Sequence, residues 1–194
     1  LGQKTFVVKM AAKFDTTSFI GALKNGGART NLMWCKTAAS GITGLDTAFP
    51  FLCKASNIPG STITALEVPY FGRNVKIAGE SREFAPLTTI VVNDEDLKIY
   101  KGMYTWFEKF NGAKTNKAAS GLFGTRSSYT CTVSLEMYKK DGSLDQKWDF
   151  YNAWPSNVSA IDLNWDSVNT IQEFTIDWQY DYYLHGQAKI DNTV

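Results

Sequence analysis

Apolar and polar residues follow a helical period in one stretch of the chain, from about residue 94 to residue 111. At about 100° per residue, the apolar side chains fall on one half of the helical wheel and the charged side chains on the other. Asn93 and Asp96 are spaced almost as in a capping box, and Gly112 suits the left-handed residue that ends a helix. The pattern therefore predicts one amphipathic α-helix. Its apolar half consists of Leu97, Ile99, Tyr100, Met103, Tyr104, Trp106, Phe107 and Phe110.

The apolar face of this helix is wider than one small sheet needs, and two interpretations are open. The helix is either a well-buried core helix, or it packs on its own sheet and also on a neighbouring subunit. Under the second interpretation, the candidate contacts with a neighbour are Met103, Trp106 and Phe110.

Much of the remaining chain alternates apolar and polar residues with a period of two, which is typical of strands. The clearest case is a hairpin in which the run at 129–138 is followed by a turn at 140–142 and a returning run at 145–152. Further strands are predicted at 31–36, 49–54, 62–71, 73–78, 87–92, 161–165 and 171–183.

Proline and glycine residues predict where these strands are interrupted. Pro69 excludes a central, fully paired position for its strand, and Pro155 is expected to break the returning strand of the hairpin. A polar turn is predicted at 79–82, and the small, polar segments at 37–47 and 113–128 indicate flexible loops.

The order of these elements predicts the fold class. A short N-terminal helix is expected from Asp15 to Leu23, ahead of about eight strands. Few connections are long enough for crossovers, so antiparallel pairing is expected. The prediction is a mainly β subunit, an antiparallel sandwich or barrel-like sheet with one flanking helix.

The last predicted strand has one aromatic and one acidic face. Its aromatic side is predicted to be core, because five exposed residues of this kind would form a large apolar patch. These residues are Phe174, Ile176, Trp178, Tyr180 and Tyr182. The opposite side carries three carboxylates and no cation of its own. It consists of Glu173, Thr175, Asp177, Gln179 and Asp181.

The composition of the chain excludes some classes of partner but does not indicate a function. The chain has 194 residues and a net charge of +1, so bulk charge does not indicate a nucleic-acid or membrane partner. No apolar run approaches the length of a membrane span. The first residues lack the apolar core of a secretory signal.

The residues that usually carry chemistry are sparse. Cys35, Cys53 and Cys131 form neither a disulfide framework nor a C-x-x-C site, so free buried thiols are expected, with a Cys35–Cys53 pair across a hairpin as the alternative. His185 is the only histidine, so a Ser–His or Cys–His pair with an orienting group is not indicated. No catalytic residue, cofactor or metal is predicted, and the chain is not expected to be an enzyme.

Seven short segments occur in one order between positions 28 and 174, and together they resemble the tail tube protein of contractile-tailed bacteriophages. No single segment is diagnostic, but the ordered series is specific. The segments are Ala28 to Leu32, Cys53 to Ala55, Arg73 to Glu80, Val92 to Glu95, Trp154 to Val158, Leu163 to Ser167 and Ile171 to Phe174.

The resemblance implies a virion structural protein, assembled in the cytoplasm of the host bacterium. Six copies would close into a ring, and rings would stack into a tube inside a contractile sheath. The implied partners are further copies of the chain, the sheath, tape-measure, baseplate and tail-terminator proteins, and DNA that passes without sequence-specific binding. No membrane is implied. Residues 1–194 would form one tail-tube domain with an N-terminal extension at about 1–14 and a polar tail at about 184–194.

Under this resemblance, two more sets of residues become candidates. The acidic side of the last strand, Glu173 to Asp181 at alternate positions, is the candidate lumen-facing surface. Stacked rings need segments that reach the next ring, and the long stretch after residue 55 is a candidate for irregular, mobile structure that orders in tubes. Its candidate inter-ring residues are Asn57, Pro59, Gly60, Pro69, Tyr70 and Arg73.

Two alternatives stay open at this stage. The chain could be the tube protein of a type VI secretion-like system, which neighbouring genes would distinguish from a phage. It could also be a monomeric β-sandwich that binds carbohydrate through exposed Trp and Tyr residues, which a glycan screen and a size measurement would distinguish.

Overall fold

The computed structural model describes residues 16–23, 26–38 and 45–186, except for the side chain of Asp46. The N-terminal extension, most of the polar tail and the central part of the 37–47 loop lie outside these ranges. The described helices are α1 (Thr16–Ala22), α2 (Leu45–Leu52) and α3 (Lys98–Phe110). The described strands are β1 (Met33–Thr37), β2 (Cys53–Ser56), β3 (Ser61–Tyr70), β4 (Arg73–Phe84), β5 (Leu87–Val92), β6 (Cys131–Tyr138), β7 (Leu144–Val158), β8 (Glu173–Gln179) and β9 (Tyr182–His185).

Seven of the strands form one antiparallel sheet. Six of them follow the order β1-β6-β7-β8-β5-β2, and the seventh, β9, lies off this path. The long strand β7 pairs with β6 and β9 along its first part and with β8 along its last part. The two outer strands, β1 and β2, also contact each other, and α2 contacts both. The sheet is therefore barrel-like, and the predicted mainly antiparallel β fold with a flanking helix and a short N-terminal helix is confirmed.

The core lies between the sheet and α3. Trp178 of β8 is fully buried, and its ring meets those of Phe49 and Trp106 edge to face at centroid distances of 6.1 and 6.0 Å. Its indole N–H donates to Thr89 Oγ1 at 3.0 Å. This bond satisfies the polar atom of a buried tryptophan, so the aromatic centre carries no unpaired donor there.

Helix α3 is present and ends at Phe110, close to the predicted end at about 111, but its predicted start and both predicted caps were wrong. The helix begins at Lys98, after Leu97 adopts a left-handed conformation with φ 52°. At its start, Asp94 Oδ1 accepts a hydrogen bond from the Lys98 N–H at 2.8 Å. The predicted capping box of Asn93 and Asp96 is therefore not the arrangement found there. At the other end, Asn111 is extended, and Gly112 is not left-handed.

The prediction of a strand at 49–54 was wrong for most of its length. Residues 45–52 form α2, and only Cys53–Ser56 is a strand. Leu45 and Phe49, four positions apart on the helix, are both fully buried, whereas Phe51 is exposed. Burial of one helical face therefore outweighs the helix-breaking tendency of Pro50.

Several predicted interruptions do not occur. Strand β7 continues through Pro155, where its register against β8 shifts. Strand β4 continues through the predicted turn at 79–82, where its register against β3 shifts and residues 79–81 lie opposite Thr64 alone. A Cβ at position 79 would lie 2.3 Å from the Thr64 carbonyl oxygen, so the close approach of the two backbones at the register shift requires glycine.

Other predicted strands changed in extent. Residues 161–165 form no strand, and the run at 171–183 divides into β8 and β9, which pair with different parts of β7. The alternation therefore changes after Tyr180, and Tyr182 is exposed rather than core.

All three cysteines are free thiols, as expected. Cys35 and Cys131 are buried, and Cys53 is half-buried. Cys35 interacts with Cys53 where β1 and β2 meet, and this contact, with burial, raises the pKa of the Cys35 thiol. The two strands are not paired as a hairpin, so the proposed geometry for a disulfide was wrong. Separately, no helix in the described part of the chain is long and apolar enough to span a membrane.

Candidate functional site

A hairpin formed by β3 and β4, residues 61–84, stands apart from the main sheet. Among the residues that the structure describes, the two strands pair only with each other, and nearly every residue in both is exposed. At about 3.3 Å per residue, the ten residues of β3 span roughly 30 Å. An isolated two-stranded hairpin is marginally stable in water. This hairpin is therefore a candidate assembly surface.

One face of the hairpin is apolar. Leu66 lies opposite Ile77, and Val68 lies opposite Val75, with all four side chains exposed. On the other face, Glu67 approaches the Lys76 ammonium at 3.7 Å and accepts a hydrogen bond from Asn74 at 3.1 Å. The polar face is satisfied within the subunit, whereas the apolar face faces solvent.

The tip of the hairpin combines backbone strain with an exposed aromatic ring. Phe71 and Gly72 form a two-residue turn in which both φ values are positive, 40° and 81°. Such a turn favours Asn-Gly over a bulky first residue. The side chain of Phe71 is 92% exposed, and its ring contacts only that of Tyr70 among the aromatic rings described. The turn does not require this residue, which indicates a role outside the subunit.

The base of the hairpin is attached to the domain. Phe84 packs against the rings of Tyr180 and Tyr183. The Tyr180 hydroxyl donates to the Ala85 carbonyl oxygen at 2.7 Å, and the Thr88 N–H donates to Asn57 Oδ1 at 2.7 Å. The exposed strands therefore extend from a fixed base.

From the position of Tyr180 at the base of the hairpin, we expect the folded chain to lose stability at high pH. Burial, with a smaller contribution from Tyr183, raises the pKa of Tyr180 to about 12, above about 10 for an exposed tyrosine. The stabilisation from its neutral hydroxyl is present below about pH 10 and is lost as the pH rises to about 12. We expect Tyr180→Phe to flatten the decline of the thermal midpoint over this range. Unfolding curves from pH 9 to 12 would measure it, with the exposed Tyr182→Phe as control; identical profiles for wild type and Tyr180→Phe would contradict it.

The predicted inter-ring residues do not lie together. Asn57, Pro59 and Gly60 lie at the base, where Pro59 is buried and the Gly60 carbonyl accepts the Ala85 N–H at 3.0 Å. The tip contains the remaining members of the set, Pro69, Tyr70 and Arg73. The strands predicted at 62–71 and 73–78 are present as parts of β3 and β4. These two strands pair up to the turn with one register shift, so the expectation of irregular structure over most of the stretch after residue 55 was wrong.

Sequence reasoning missed the apolar face of the hairpin. The signal was present, since Leu66, Val68 and Tyr70 alternate with Glu67 and Pro69. This period of two predicts a strand with one apolar side, but sequence alone does not show whether that side is covered by the described part of the folded subunit.

The proposed inter-subunit face of α3 lies mostly inside the subunit. Met103 is fully buried, and Trp106 is only 3% exposed. Phe110 is half-buried among the rings of Phe123, Tyr129 and Trp154. The core-helix interpretation therefore holds for Met103 and Trp106, and their assignment to a neighbour contact is corrected because nothing of either is left to offer a neighbour.

The acidic side of the last predicted strand is only partly preserved. Glu173, Thr175, Asp177 and Gln179 share the outer face of β8, opposite the buried Phe174, Ile176 and Trp178. Asp181 lies beyond the strand, where it pairs with Arg126 and accepts a hydrogen bond from Asn152 at 2.8 Å.

The strand has no cation of its own on this side, but cations from elsewhere in the chain pair with it. Lys54 of β2 pairs with Glu173 at 2.5 Å, and Arg126 pairs with Asp181. Asp177 instead accepts hydrogen bonds from Thr88 Oγ1 at 2.8 Å and Asn157 Nδ2 at 3.0 Å. The surface is therefore less acidic than the strand alone, with Asp177 as the carboxylate that no described cation neutralises.

A comparison with protein families gives one match that covers most of the chain. The family described as "Phage tail tube protein" matches residues 5–185. Among curated proteins, the tail tube protein gp19 of Enterobacteria phage T4 is 27% identical over 143 residues, which are 73% of this chain and 85% of that protein. The tail tube protein of Serratia phage KSP90 is 28% identical over 171 residues, 84% of this chain and 92% of that protein.

Solved structures share the fold at low sequence identity. A chain in the baseplate of the anti-feeding prophage, described as 6-fold symmetrised, has a TM-score of 0.61 at 13% identity and covers 84% of this chain and 97% of its own. A chain in the sheath–tube complex of the extracellular contractile injection system PVC, in its extended state, has a TM-score of 0.59 at 13% identity. That match covers 89% of this chain and 98% of the other.

Proposed function

Since the chain belongs to the phage tail tube protein family, we propose that six copies close into a ring and that rings stack into the inner tube of a contractile tail. As a member of this family, the protein is a structural component of the virion and not an enzyme. The carbohydrate-binding alternative is set aside because the family that matches residues 5–185 is a phage tail tube family.

The hairpin is the single observation that carries the stacking proposal. It presents an unpaired apolar face and a strained, exposed aromatic tip roughly 30 Å along from a fixed base. Each subunit thus has an extension whose apolar face is not covered by the described part of its own chain and that another molecule would stabilise. A tube built by stacking supplies such a partner at every subunit.

The solved relatives support the finer parts of this proposal. One belongs to an assembly described as 6-fold symmetrised, and another to a sheath–tube complex. We accordingly propose a six-subunit ring that contacts a sheath on its outside and baseplate and terminator proteins at its ends. The lumen would house a tape-measure protein and later conduct DNA without sequence-specific binding. We also propose that the whole chain is one tail-tube domain, assembled in the host cytoplasm.

Microscopy of the purified full-length chain tests this function. We expect hollow rings or tubes by negative stain and, by analytical ultracentrifugation, species of six subunits or more. A chain that stays monomeric at all concentrations and salt conditions would reject the proposal.

For the lumen, we propose that the outer face of β8 lines the bore. Cations on such a wall would bind DNA phosphates by releasing counterions, whereas Asp177 offers a weak repulsion that is screened over about 8 Å at physiological salt. The Lys54–Glu173 pair adds no net charge. A wall of this kind leaves few positions at which DNA would be held.

A phage carrying Asp177→Lys is expected to assemble its tail but to eject DNA more slowly, most clearly at low salt. The added lysine would attract phosphates at every subunit of every ring. Asp177→Asn is the matched control, because it removes the charge without reversing it. Asp181 is a weaker choice for the test, since its pair with Arg126 would also be broken. Ejection kinetics followed by DNA release would measure the effect, and normal ejection at low salt would reject the lumen assignment.

A further inference from the structure

A second exposed apolar surface lies in the segment between β7 and β8, residues 159–172, which we name the β7–β8 loop. Its Trp165 side chain is 99% exposed. Three further large apolar side chains of the loop are also mostly exposed, and they are Leu163, Val168 and Ile171. One short segment thus carries four large apolar side chains that the described part of the subunit leaves exposed.

The hairpin and the β7–β8 loop leave the sheet at opposite ends. The hairpin leads into β5 near Leu87, which pairs with Trp178. The loop leads directly into β8 at Glu173, which pairs with Val92 at the other end of β5. These two pairs are about 17 Å apart along the strands.

Stacking by translation requires complementary surfaces at opposite ends of one subunit. A head-to-tail contact joins two different patches and repeats without closing, which produces an open tube. The hairpin and the β7–β8 loop are both apolar and occupy opposite ends of the sheet. A specific interface takes roughly 20–30 residues on each side. The hairpin has 24 residues, 61–84, and almost all of them are exposed, so it is large enough to supply one side.

The charges of the two surfaces are complementary. Arg73 lies at the hairpin tip, and Asp162 and Asp166 lie in the β7–β8 loop, all three exposed. Within residues 16–23, 26–38 and 45–186, none of the three forms an ion pair. The β7–β8 loop has no basic residue, so its net charge is negative. The hairpin tip carries the positive guanidinium of Arg73.

We propose that the hairpin tip of one subunit, led by Phe71, packs on the β7–β8 loop of a second copy in the next ring, with Arg73 facing Asp162 and Asp166. This contact rests on the proposed stacking function and names the surface that receives the hairpin. It accounts for the aromatic residue in the strained turn and for the exposed Trp165.

Phe71→Asn tests the tip without damaging the hairpin. Asn-Gly is a favoured sequence for this turn, so the hairpin is expected to form at least as well. Loss of the buried aromatic ring is expected to raise the concentration needed for tubes at least about tenfold. Charge exchange gives a second readout: Arg73→Asp and Asp166→Arg should each weaken tube formation, and the double variant should recover it.

Disulfide trapping identifies the partner surface directly. A variant with Asn74→Cys at the tip and Ser167→Cys in the loop is assembled and treated with a mild thiol oxidant. We expect cross-linked multimers on non-reducing gels, and none from either single change or from Asn74→Cys combined with Thr105→Cys on the exposed side of α3.

The outcomes separate this contact from the proposed function. Wild-type chain that forms no tube rejects both. Tubes in which the 74–167 pair does not cross-link, together with charge exchange that fails to recover assembly, overturn the contact and leave the tube function in place. Cross-links confined to the 74–167 pair establish it.

Discussion

Trp106→Ala is expected to lower the free energy of unfolding by about 3–5 kcal/mol, the usual range for a large aromatic residue removed from a core. Trp106 is 3% exposed, and its ring meets the fully buried Trp178 edge to face. The truncation would leave a cavity between α3 and the sheet, because neither neighbour can move into it without losing its own packing. Denaturant unfolding of the unassembled chain would measure the change.

The matched control is Tyr104→Ala on the same helix. Tyr104 is exposed, and removal of a surface side chain is expected to change the free energy of unfolding by no more than about 0.5 kcal/mol. If Trp106→Ala instead left the monomer as stable as wild type while rings failed to form, the side chain would belong to a subunit interface, and the packing described for α3 would be wrong.

Replacing one apolar pair on the hairpin is expected to weaken tube formation strongly while leaving the domain folded. Leu66→Glu with Ile77→Lys exchanges one directly opposed apolar pair for an ion pair. Two apolar side chains per subunit would then no longer be buried on stacking, a loss of roughly 3–6 kcal/mol. The concentration needed for tubes should rise about a hundredfold or more. Light scattering against concentration would measure it.

The opposite face of the same hairpin supplies the control. Glu67→Lys with Lys76→Glu reverses an ion pair, keeps the net charge and leaves the apolar face intact. This variant should form tubes at nearly the wild-type concentration. If both double variants lost tube formation equally, the apolar face of the hairpin would not be what drives assembly, and the prediction would be contradicted. Thermal unfolding of both variants would show whether either has a folding defect.

The sequence pattern predicts elements whose burial follows a clean period. The 3.6-residue period predicts α3, and the period of two predicts β5 at 87–92 and the pairing of β6 with β7. It fails at α2, because the alternation of Phe49, Phe51 and Cys53 also fits a strand. Burial of Leu45 and Phe49 against the sheet decides for a helix, and that contact is tertiary.

The candidate surfaces were predictable to different degrees. Pro69, Tyr70 and Arg73 were identified as candidate inter-ring residues, and they lie at the exposed hairpin tip. The charge of the β8 face was not predictable from its own strand. Lys54 lies 119 residues before Glu173, and Arg126 lies 55 residues before Asp181. Local patterning carries no information about such pairings.

Hydrogen exchange of the hairpin in free subunits and in tubes tests most directly whether assembly covers this surface. An isolated hairpin opens readily, so its amides should exchange quickly in the free chain. In tubes, the amides of β3 and β4 should become strongly protected, while those of the buried strand β8 should change little. Hairpin amides that exchange at the same rate in both states would contradict the account.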